Sequence, residues 1–227
     1  MDKWSNAQKI KIIELAEKNK KFASLEYEKC RRDFYYWLIN WVYTLDPHAH
    51  LQGKNPIRQF PDKDYFREFS KVLMTHDKIL VPKSRQIMIS WIMCAYTLWH
   101  SQFNVGRFAM VQSKKESDAN RLLDRIFVMW QNQPAFLKEP NIAKQIENEI
   151  SFKQKMSYII ALAQGSDQAR MNTASLIFID EGAFIPALRD VLTAAKPTTD
   201  GGAQIVIVST ANPGYFCSLV HDEKVSE

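Results

Sequence analysis

The segment Leu176-Ile-Phe-Ile-Asp180-Glu181 gives the clearest indication of the fold in this sequence. Its four consecutive apolar residues predict a strand buried on both faces, as in the centre of a parallel sheet. Two adjacent carboxylates follow at its carboxyl end, which is the edge where open α/β sheets bind their ligands. A second apolar run, Ile205–Val208, is followed by Ser209, Thr210 and Asn212 in the same way. The pattern therefore predicts a sheet with polar groups collected at one edge.

The remaining pattern predicts an α/β fold with a mostly parallel central sheet flanked by helices. Strands and helices alternate after residue 64, and such alternation places helices on both faces of the sheet. The predicted helices are 65–74, 90–100 and 113–131, the last opened by a capping box at Ser113-Lys-Lys-Glu116. The predicted strands are 78–81, ended by Pro82, and 107–112, 150–152, 158–162, 176–179 and 205–208.

The N-terminal part differs in character from this core. Helical spacing of apolar residues predicts one helix near residues 10–16 and a second from Ser24 to Trp41, whose aromatic side chains are expected to face the core. Residues 47–64 are polar and contain proline and glycine, which is typical of a linker. We therefore expect an N-terminal helical appendage over 1–46, a linker over 47–64 and the core domain over 65–227.

Composition narrows the class of protein. The 227 residues are 46% hydrophobic, which excludes a disordered chain. No apolar run is long enough to span a membrane, and the charged N-terminus lacks a signal-peptide core, so a soluble intracellular protein is expected. The three cysteines lie far apart, which excludes a disulfide framework or zinc knuckle. The net charge of +5 is compatible with a polyanionic partner without establishing one.

The two carboxylates after the first strand have two interpretations. One is an ordinary strand that leaves the core into a polar turn. The other is a Walker B element, in which Asp180 holds magnesium and Glu181 orients and deprotonates an attacking water. The second interpretation requires a phosphate-binding loop upstream, between a strand and a helix.

The segment from Lys78 to Trp91 lies where that loop should be. Against the pattern G-x-x-x-x-G-K-[ST] only Ser90 matches, and Met88 stands where a glycine is usual. A phosphate cradle still needs cations, a hydroxyl and a helix N-terminus, and Lys83, Arg85, Ser90 and the helix beginning at Ile89 supply them. The loop would have to close without glycine, and an ordinary strand-to-helix turn is the alternative.

Further polar residues fit the same edge of the sheet. Ser209, Thr210 and Asn212 could sense the terminal phosphate, although a polar turn before Pro213-Gly214 explains them equally. Arg170 lies in a polar segment before the Asp-Glu strand. It is either a solvated arginine or an arginine finger.

In order and spacing, KSRQIMIS (83–90), LIFIDEGAF (176–184) and IVIVSTANPG (205–214) resemble the ATPase domain of the large terminase subunit, the DNA-packaging motor of tailed bacteriophages. The resemblance covers about residues 57–216 and implies a P-loop fold of the ASCE type, with an additional catalytic glutamate. It also implies Mg²⁺ as cofactor and ATP as substrate.

The resemblance also implies roles for individual residues. Glu181 would be the catalytic base, and Arg170 would act in trans on a neighbouring subunit's nucleotide. Ser90 and Asp180 would bind magnesium, and Ser209, Thr210 and Asn212 would form the coupling motif. Nucleotide-binding positions would be Lys83, Ser84, Arg85, Gln86, Ile87, Met88, Ile89 and Ser90, with Gln59 as an adenine reader or a plain linker residue.

The resemblance further implies translocation of double-stranded DNA into a viral prohead in the cytoplasm of an infected host cell. Expected partners are double-stranded DNA, a portal protein, a small terminase subunit and further copies of the chain in a ring, with the isolated domain able to be monomeric and no membrane involved. The family's nuclease domain has no counterpart after Gly214, so we expect an isolated ATPase domain, either a fragment or a split gene product.

Two alternative functions stay open from the residues alone. Gln112-Ser113 followed by a helix is also compatible with one RecA-like half of a nucleic-acid helicase. Met88 and Ile89 are compatible with a non-catalytic nucleic-acid or assembly module on a decayed P-loop fold. Four basic residues, Lys114, Lys115, Arg121 and Arg125, are candidate DNA contacts, with a solvated helix face as the alternative.

Overall fold

A computed structural model describes residues 3–138, 143–146, 148–162 and 174–221. Its α-helices are α1 (Asn6–Lys18), α2 (Lys20–Arg32), α3 (Phe34–Trp41), α4 (Asp64–Thr75), α5 (Ile89–Gln102), α6 (Glu116–Gln131), α7 (Leu188–Asp200) and α8 (Tyr215–His221). Its strands are β1 (Tyr43–Leu45), β2 (Ile57–Gln59), β3 (Lys78–Lys83), β4 (Phe108–Gln112), β5 (Ala143–Ile146), β6 (Glu149–Phe152), β7 (Ser157–Leu162), β8 (Leu176–Asp180) and β9 (Gln204–Thr210).

Within the described residues the main sheet has seven strands in the order β3-β9-β8-β4-β7-β6-β5. Strands β3, β9, β8, β4 and β7 are parallel to one another. Strands β6 and β5 are added antiparallel at the β7 edge. β9 separates β3 from β8, with Lys83 level with Thr210 and Asp180 level with Val208. The loop after β3 and the carboxylates after β8 are therefore brought to the same edge of the sheet. The predicted α/β class is confirmed.

Alternate residues of the central strands pack into two separate hydrophobic clusters. On one face Val111, Phe178 and Val206 pack with α5, α6 and the N-terminal helices. On the other face Met110, Ile179 and Ile207 pack with α7 and α8. Both faces are covered because each strand alternates its side chains between them, which explains the fully apolar strand sequences.

The N-terminal helices pack directly on the α5 side of the sheet. Trp37 and Trp41 are fully buried, as the aromatic stripe predicts. Helix α2 is joined to α5 by the Trp99 indole, which donates to the Cys30 carbonyl at 2.8 Å. The 47–64 stretch contains a 3₁₀ turn and β2, which pairs with β1. Division of the chain into appendage, linker and core stays a prediction.

Three predicted boundaries are wrong. The helix predicted over 24–41 is two helices, because Asp33 interrupts it and caps α3 by accepting from the Tyr36 N–H at 2.8 Å. The capping box at Ser113 does not form, because Ser113 is buried at the end of β4 and α6 begins at Glu116 without a side-chain cap. β3 runs through Pro82 to Lys83.

Pro82 is compatible with β3 because β3 is an edge strand in the described sheet. The Ile205 N–H donates to the Asp77 carbonyl, so the backbone N–H and C=O groups of residues 77, 79, 81 and 83 point toward β9. Pro82 then lies on the open side, where its missing N–H removes no hydrogen bond of the ladder. The strand can therefore deliver Lys83 to the carboxyl edge.

Within the described residues, no helix is both long and apolar enough to cross a membrane.

Candidate functional site

The first part of the site joins α5 to β8. Ser90 lies in the first turn of α5, and its hydroxyl donates to Asp180 Oδ1 at 2.8 Å. Ninety residues separate the two groups in the chain, so the fold itself brings them together. The sequence prediction paired these residues as the hydroxyl and carboxylate of one magnesium site.

The second part joins β3, β8 and β9 through Glu181. Lys83 Nζ donates to Glu181 Oε1 at 3.0 Å, and the Thr210 hydroxyl donates to Glu181 Oε2 at 3.1 Å. The Lys83 side chain is only 8% exposed and that of Glu181 24%, so solvent screens this ion pair less than a surface pair. Both oxygens of the carboxylate are therefore held by named donors.

The two carboxylates have opposite electrostatic environments although they are adjacent. Burial raises the pKa of Asp180, and the Ser90 hydrogen bond and the Lys83 charge offset only part of that effect. Burial also acts to raise the pKa of Glu181, but the hydrogen bond and charge of Lys83 and the bonds from Thr210 outweigh it, so that pKa is lowered. Glu181 is consequently an ionised carboxylate at neutral pH.

The loop between β3 and α5 closes without glycine. Gln86 has φ of 65° and Met88 has φ of 59°, so both occupy the left-handed region that glycine usually fills. The backbone is anchored on its other side by the Tyr65 hydroxyl, which donates to the Ile87 carbonyl at 3.1 Å. Strain of this kind persists only where surrounding structure imposes it, and it concentrates at functional sites.

Glu181 itself also lies in the left-handed region, with φ of 54°. The next residue, Gly182, packs so closely on β9 that a Cβ there would lie 2.5 Å from Ile207 Cγ2. The turn after β8 therefore leaves no room for a side chain at position 182.

The segment after β9 contacts the same turn. The Ser209 hydroxyl accepts from the Ala183 N–H at 3.0 Å, and the Asn212 amide donates to the Ala183 carbonyl at 3.0 Å. Ser209 and Asn212 therefore hold the residues that follow Glu181, whereas Thr210 contacts Glu181 directly. These bonds connect the turn after Glu181 to the end of β9.

Other predicted site residues are placed differently. Ser84 and Arg85 are exposed, and Arg85 forms no ion pair within the part of the chain that is described. The Gln59 amide donates to the Ile39 carbonyl at 2.7 Å and so ties β2 to α3. Arg170 lies outside the described residues.

The structure adds residues that the sequence analysis did not identify. Tyr65, Gly182 and Trp91 support or border the site, and the sequence alone assigns none of them a role there. A cavity of about 180 Å³ lies beside the two carboxylates, and its remaining walls come from the end of β4 and from α6. Arg125 was identified in the sequence only as a candidate DNA contact.

The oxygen atoms of Ser90 and Asp180 fit a magnesium ion. Magnesium prefers hard oxygen ligands and is usually held by one or two protein groups together with water and substrate phosphates. No cluster of three or more His, Cys, Asp or Glu side chains suited to a metal occurs among the described residues, so a transition-metal centre has no support there. Two protein oxygens suit a magnesium ion whose remaining ligands are water and phosphate oxygens.

No family model matches the sequence. Among solved structures, the large terminase of bacteriophage HK97 is similar over 86% of this chain and 41% of its own, with a TM-score of 0.63 and 13% identity. A variant of the Thermus phage P74-26 large terminase ATPase domain is similar over 77% of this chain and 73% of its own, with a TM-score of 0.57 and 14% identity.

A third large terminase, from a thermophilic bacteriophage and solved in complex with ADP, is similar over 69% of this chain and 40% of its own. Its TM-score is 0.50 and its identity 19%. This chain therefore spans about two fifths of the length of the full large terminases that it matches. At these identities the likeness concerns the fold, and the chain has the fold of a large terminase ATPase domain.

Proposed function

We propose that this chain is a magnesium-dependent ATPase whose site lies at the carboxyl edge of β3, β8 and β9. One observation carries the proposal: the Ser90–Asp180 pair lies beside the Lys83–Glu181 pair at the end of the same parallel sheet. A hydroxyl, two carboxylates and a lysine at this edge are the groups that phosphoryl transfer from a nucleotide requires.

In this proposal Lys83 binds the nucleotide's phosphates. Phosphate oxygens compete with Glu181 for the ammonium group, because they carry more charge than one carboxylate. The backbone N–H groups of the loop and the N-terminus of α5 add partial positive charge on the same side. Binding would therefore detach Lys83 from Glu181 and release the carboxylate.

Ser90 and Asp180 would hold the magnesium ion, which when bound offsets the negative charge of the phosphate oxygens. Glu181 then accepts a proton from water as the water oxygen bonds to the terminal phosphorus. The bond from that phosphorus to the bridging oxygen breaks, and ADP leaves with the electron pair. Thr210 keeps Glu181 oriented through its hydrogen bond to Oε2.

The wider role that we propose is translocation of double-stranded DNA into a viral prohead. The likeness of fold to large terminase ATPase domains supports it, as do the bonds from Ser209 and Asn212 to the turn after Glu181. In a ring of subunits, Arg170 would reach a neighbour's nucleotide, and the portal and small terminase subunits would be the partners of the assembly. Loss of the terminal phosphate would move Glu181 and, through the turn, the β9 end.

The proposal is tested by measuring phosphate release from ATP with Glu181→Gln. This variant keeps the side-chain volume but cannot accept the proton, so hydrolysis should fall at least ~100-fold while nucleotide binding persists. Glu68→Gln is the matched control, because Glu68 is an exposed helix residue paired with Lys71 at the surface. Unchanged hydrolysis in Glu181→Gln would overturn the mechanism. Binding without hydrolysis in the unaltered chain would favour a non-catalytic module.

A further inference from the structure

A cavity beside the proposed catalytic carboxylates has a wall that the proposed mechanism does not use. It is lined by Asp180 and Glu181 on one side and by β4 and α6 on the other, with Ser113, Lys114, Asp118, Arg121, Leu122 and Arg125. Its volume of about 180 Å³ equals roughly six times the volume of one water in the liquid. The space is therefore sufficient for a phosphoryl group and a water.

Three cations border this cavity, and they differ in ion pairing and in exposure. Arg121 is largely exposed and pairs with Asp118 at 3.1 Å. Lys114 lies over the Phe184 ring at 5.7 Å. Arg125 is half-buried and forms no ion pair within the described residues, so none of the described carboxylates occupies its hydrogen-bond donors.

The position of Arg125 is fixed by Trp91. The guanidinium carbon lies 5.0 Å from the centre of the Trp91 ring, within the range of a cation–π contact. Trp91 directly follows Ser90 on α5, so the same helix turn positions the magnesium-binding hydroxyl and the support for the arginine. The Arg125 charge also acts on Asp180, where it lowers the carboxyl pKa against the larger effect of burial.

From this arrangement we infer that Arg125 is a nucleotide-binding residue that contacts the terminal phosphate of ATP from within the same chain. The inference rests on the proposed ATPase site. A guanidinium with no carboxylate partner among the described residues can present two parallel donors to phosphate oxygens. Because the Trp91 ring already positions this guanidinium, it loses less conformational entropy when it binds. In the proposed mechanism Glu181 acts on the terminal phosphate, so the cavity beside Glu181 would receive the phosphoryl group that ATP has and ADP lacks. Arg125 therefore contributes to the choice of triphosphate over diphosphate.

The test compares binding of a non-hydrolysable ATP analogue and of ADP, each with magnesium, by calorimetry. Arg125→Ala should weaken the analogue at least tenfold and ADP by less than twofold. Arg125→Lys keeps the charge but not the forked donors and should recover part of the analogue affinity. Arg189→Ala is the matched control. Arg189 belongs to α7, lies outside the cavity and also contacts an aromatic ring, that of Tyr215.

Each outcome decides the matter. Equal weakening of both nucleotides, or no change in either, would overturn the role of Arg125 while leaving the ATPase site intact. Binding of neither nucleotide by the unaltered chain would overturn the proposed function together with this inference. Arg125→Gln provides a second uncharged variant if Arg125→Ala unfolds, which thermal melting of each variant would reveal.

Discussion

Lys83 and Glu181 form an ion pair of 3.0 Å across 98 residues of sequence, between the end of β3 and the turn after β8. In the proposed mechanism both groups need different partners, because Lys83 must bind phosphate and Glu181 must accept a proton. In that mechanism the ion pair would keep the site inactive until a nucleotide separates the two groups.

The first prediction concerns which cation binds phosphate. Lys83→Met should weaken nucleotide binding at least tenfold, because the ammonium group is directed to the site by its contact with Glu181. Arg85→Met should have a smaller effect, since Arg85 is exposed and points to no described partner. Fluorescence titration with a labelled ATP analogue measures both. The reverse order would assign the phosphate contact to Arg85.

The second prediction concerns strain in the loop. Gln86 is exposed and has φ of 65°, so Gln86→Gly should stabilise the fold by about 1 kcal/mol. Gln131→Gly should instead destabilise it, by less than about 1 kcal/mol, because Gln131 is the exposed last residue of α6 and the full cost of glycine applies in a helix interior. Urea denaturation gives the two free energies of unfolding. A loss of stability in both variants would contradict the strain in this loop.

The third prediction concerns the turn that directs Glu181. Gly182→Ala should destabilise the fold by about 1–3 kcal/mol, because the new methyl group would overlap the buried Ile207 side chain. The cost should shrink in an Ile207→Ala background, where the overlap is absent. A double-mutant cycle measured by denaturation isolates this coupling, and additive effects would argue against the close contact.

The fourth prediction concerns Asp180. Because burial raises its pKa above that of the unfolded chain, ionisation costs stability as the pH rises through the folded-state pKa. Asp180→Asn should therefore be more stable than the unaltered chain at neutral pH, and the difference should vanish in acid, below a pH of about 4. Magnesium-dependent nucleotide binding should be lost at the same time.

Chemical denaturation from about pH 4 to about pH 8 provides the measurement for Asp180. Asp200→Asn is the control, because Asp200 is a half-exposed helix residue paired with Lys196 at the surface. A lower stability of Asp180→Asn at neutral pH would show that the charge stabilises the empty site instead.

The fifth prediction concerns His100, which contacts the Ser175 hydroxyl at 2.9 Å. Burial, with a smaller effect of Arg107, lowers its pKa from 6.5 to about 4. The unfolded chain then binds a proton that the folded chain excludes, so stability should fall as the pH drops from about 6.5 to about 4. His100→Gln should lack this fall in stability between about pH 6.5 and about pH 4, whereas substitution of the exposed His76 by Gln should leave it unchanged. Parallel slopes for His100→Gln and the unaltered chain would contradict the assignment.

The sequence predicts the sheet well because β8 and β9 are apolar on both faces and end in polar groups. The pairing of Ser90 with Asp180 also follows from it, because both lie at ends of elements that a parallel sheet brings to one edge. The break at Asp33 is not predictable from periodicity, since apolar spacing continues across it and only the capping bond marks the start of α3.

Other features of the site depend on tertiary contacts that have no local signal. Met88 and Gln86 are residues that sequence rules place outside the left-handed region, and only the closed loop shows them there. In the sequence Arg125 looks like any residue of a charged helix face. It differs from Arg121 because it is half-buried and its guanidinium lies over the Trp91 ring. Helix α7 was not predicted at all.

The central claim is that the carboxyl edge of β3, β8 and β9 binds magnesium and ATP. Its most direct test is calorimetric titration of the unaltered chain with a non-hydrolysable ATP analogue, with and without magnesium. We predict saturable one-site binding below millimolar analogue that depends on magnesium and is lost in Ser90→Ala. Absence of binding at millimolar analogue, or binding that neither magnesium nor Ser90 affects, would contradict the claim.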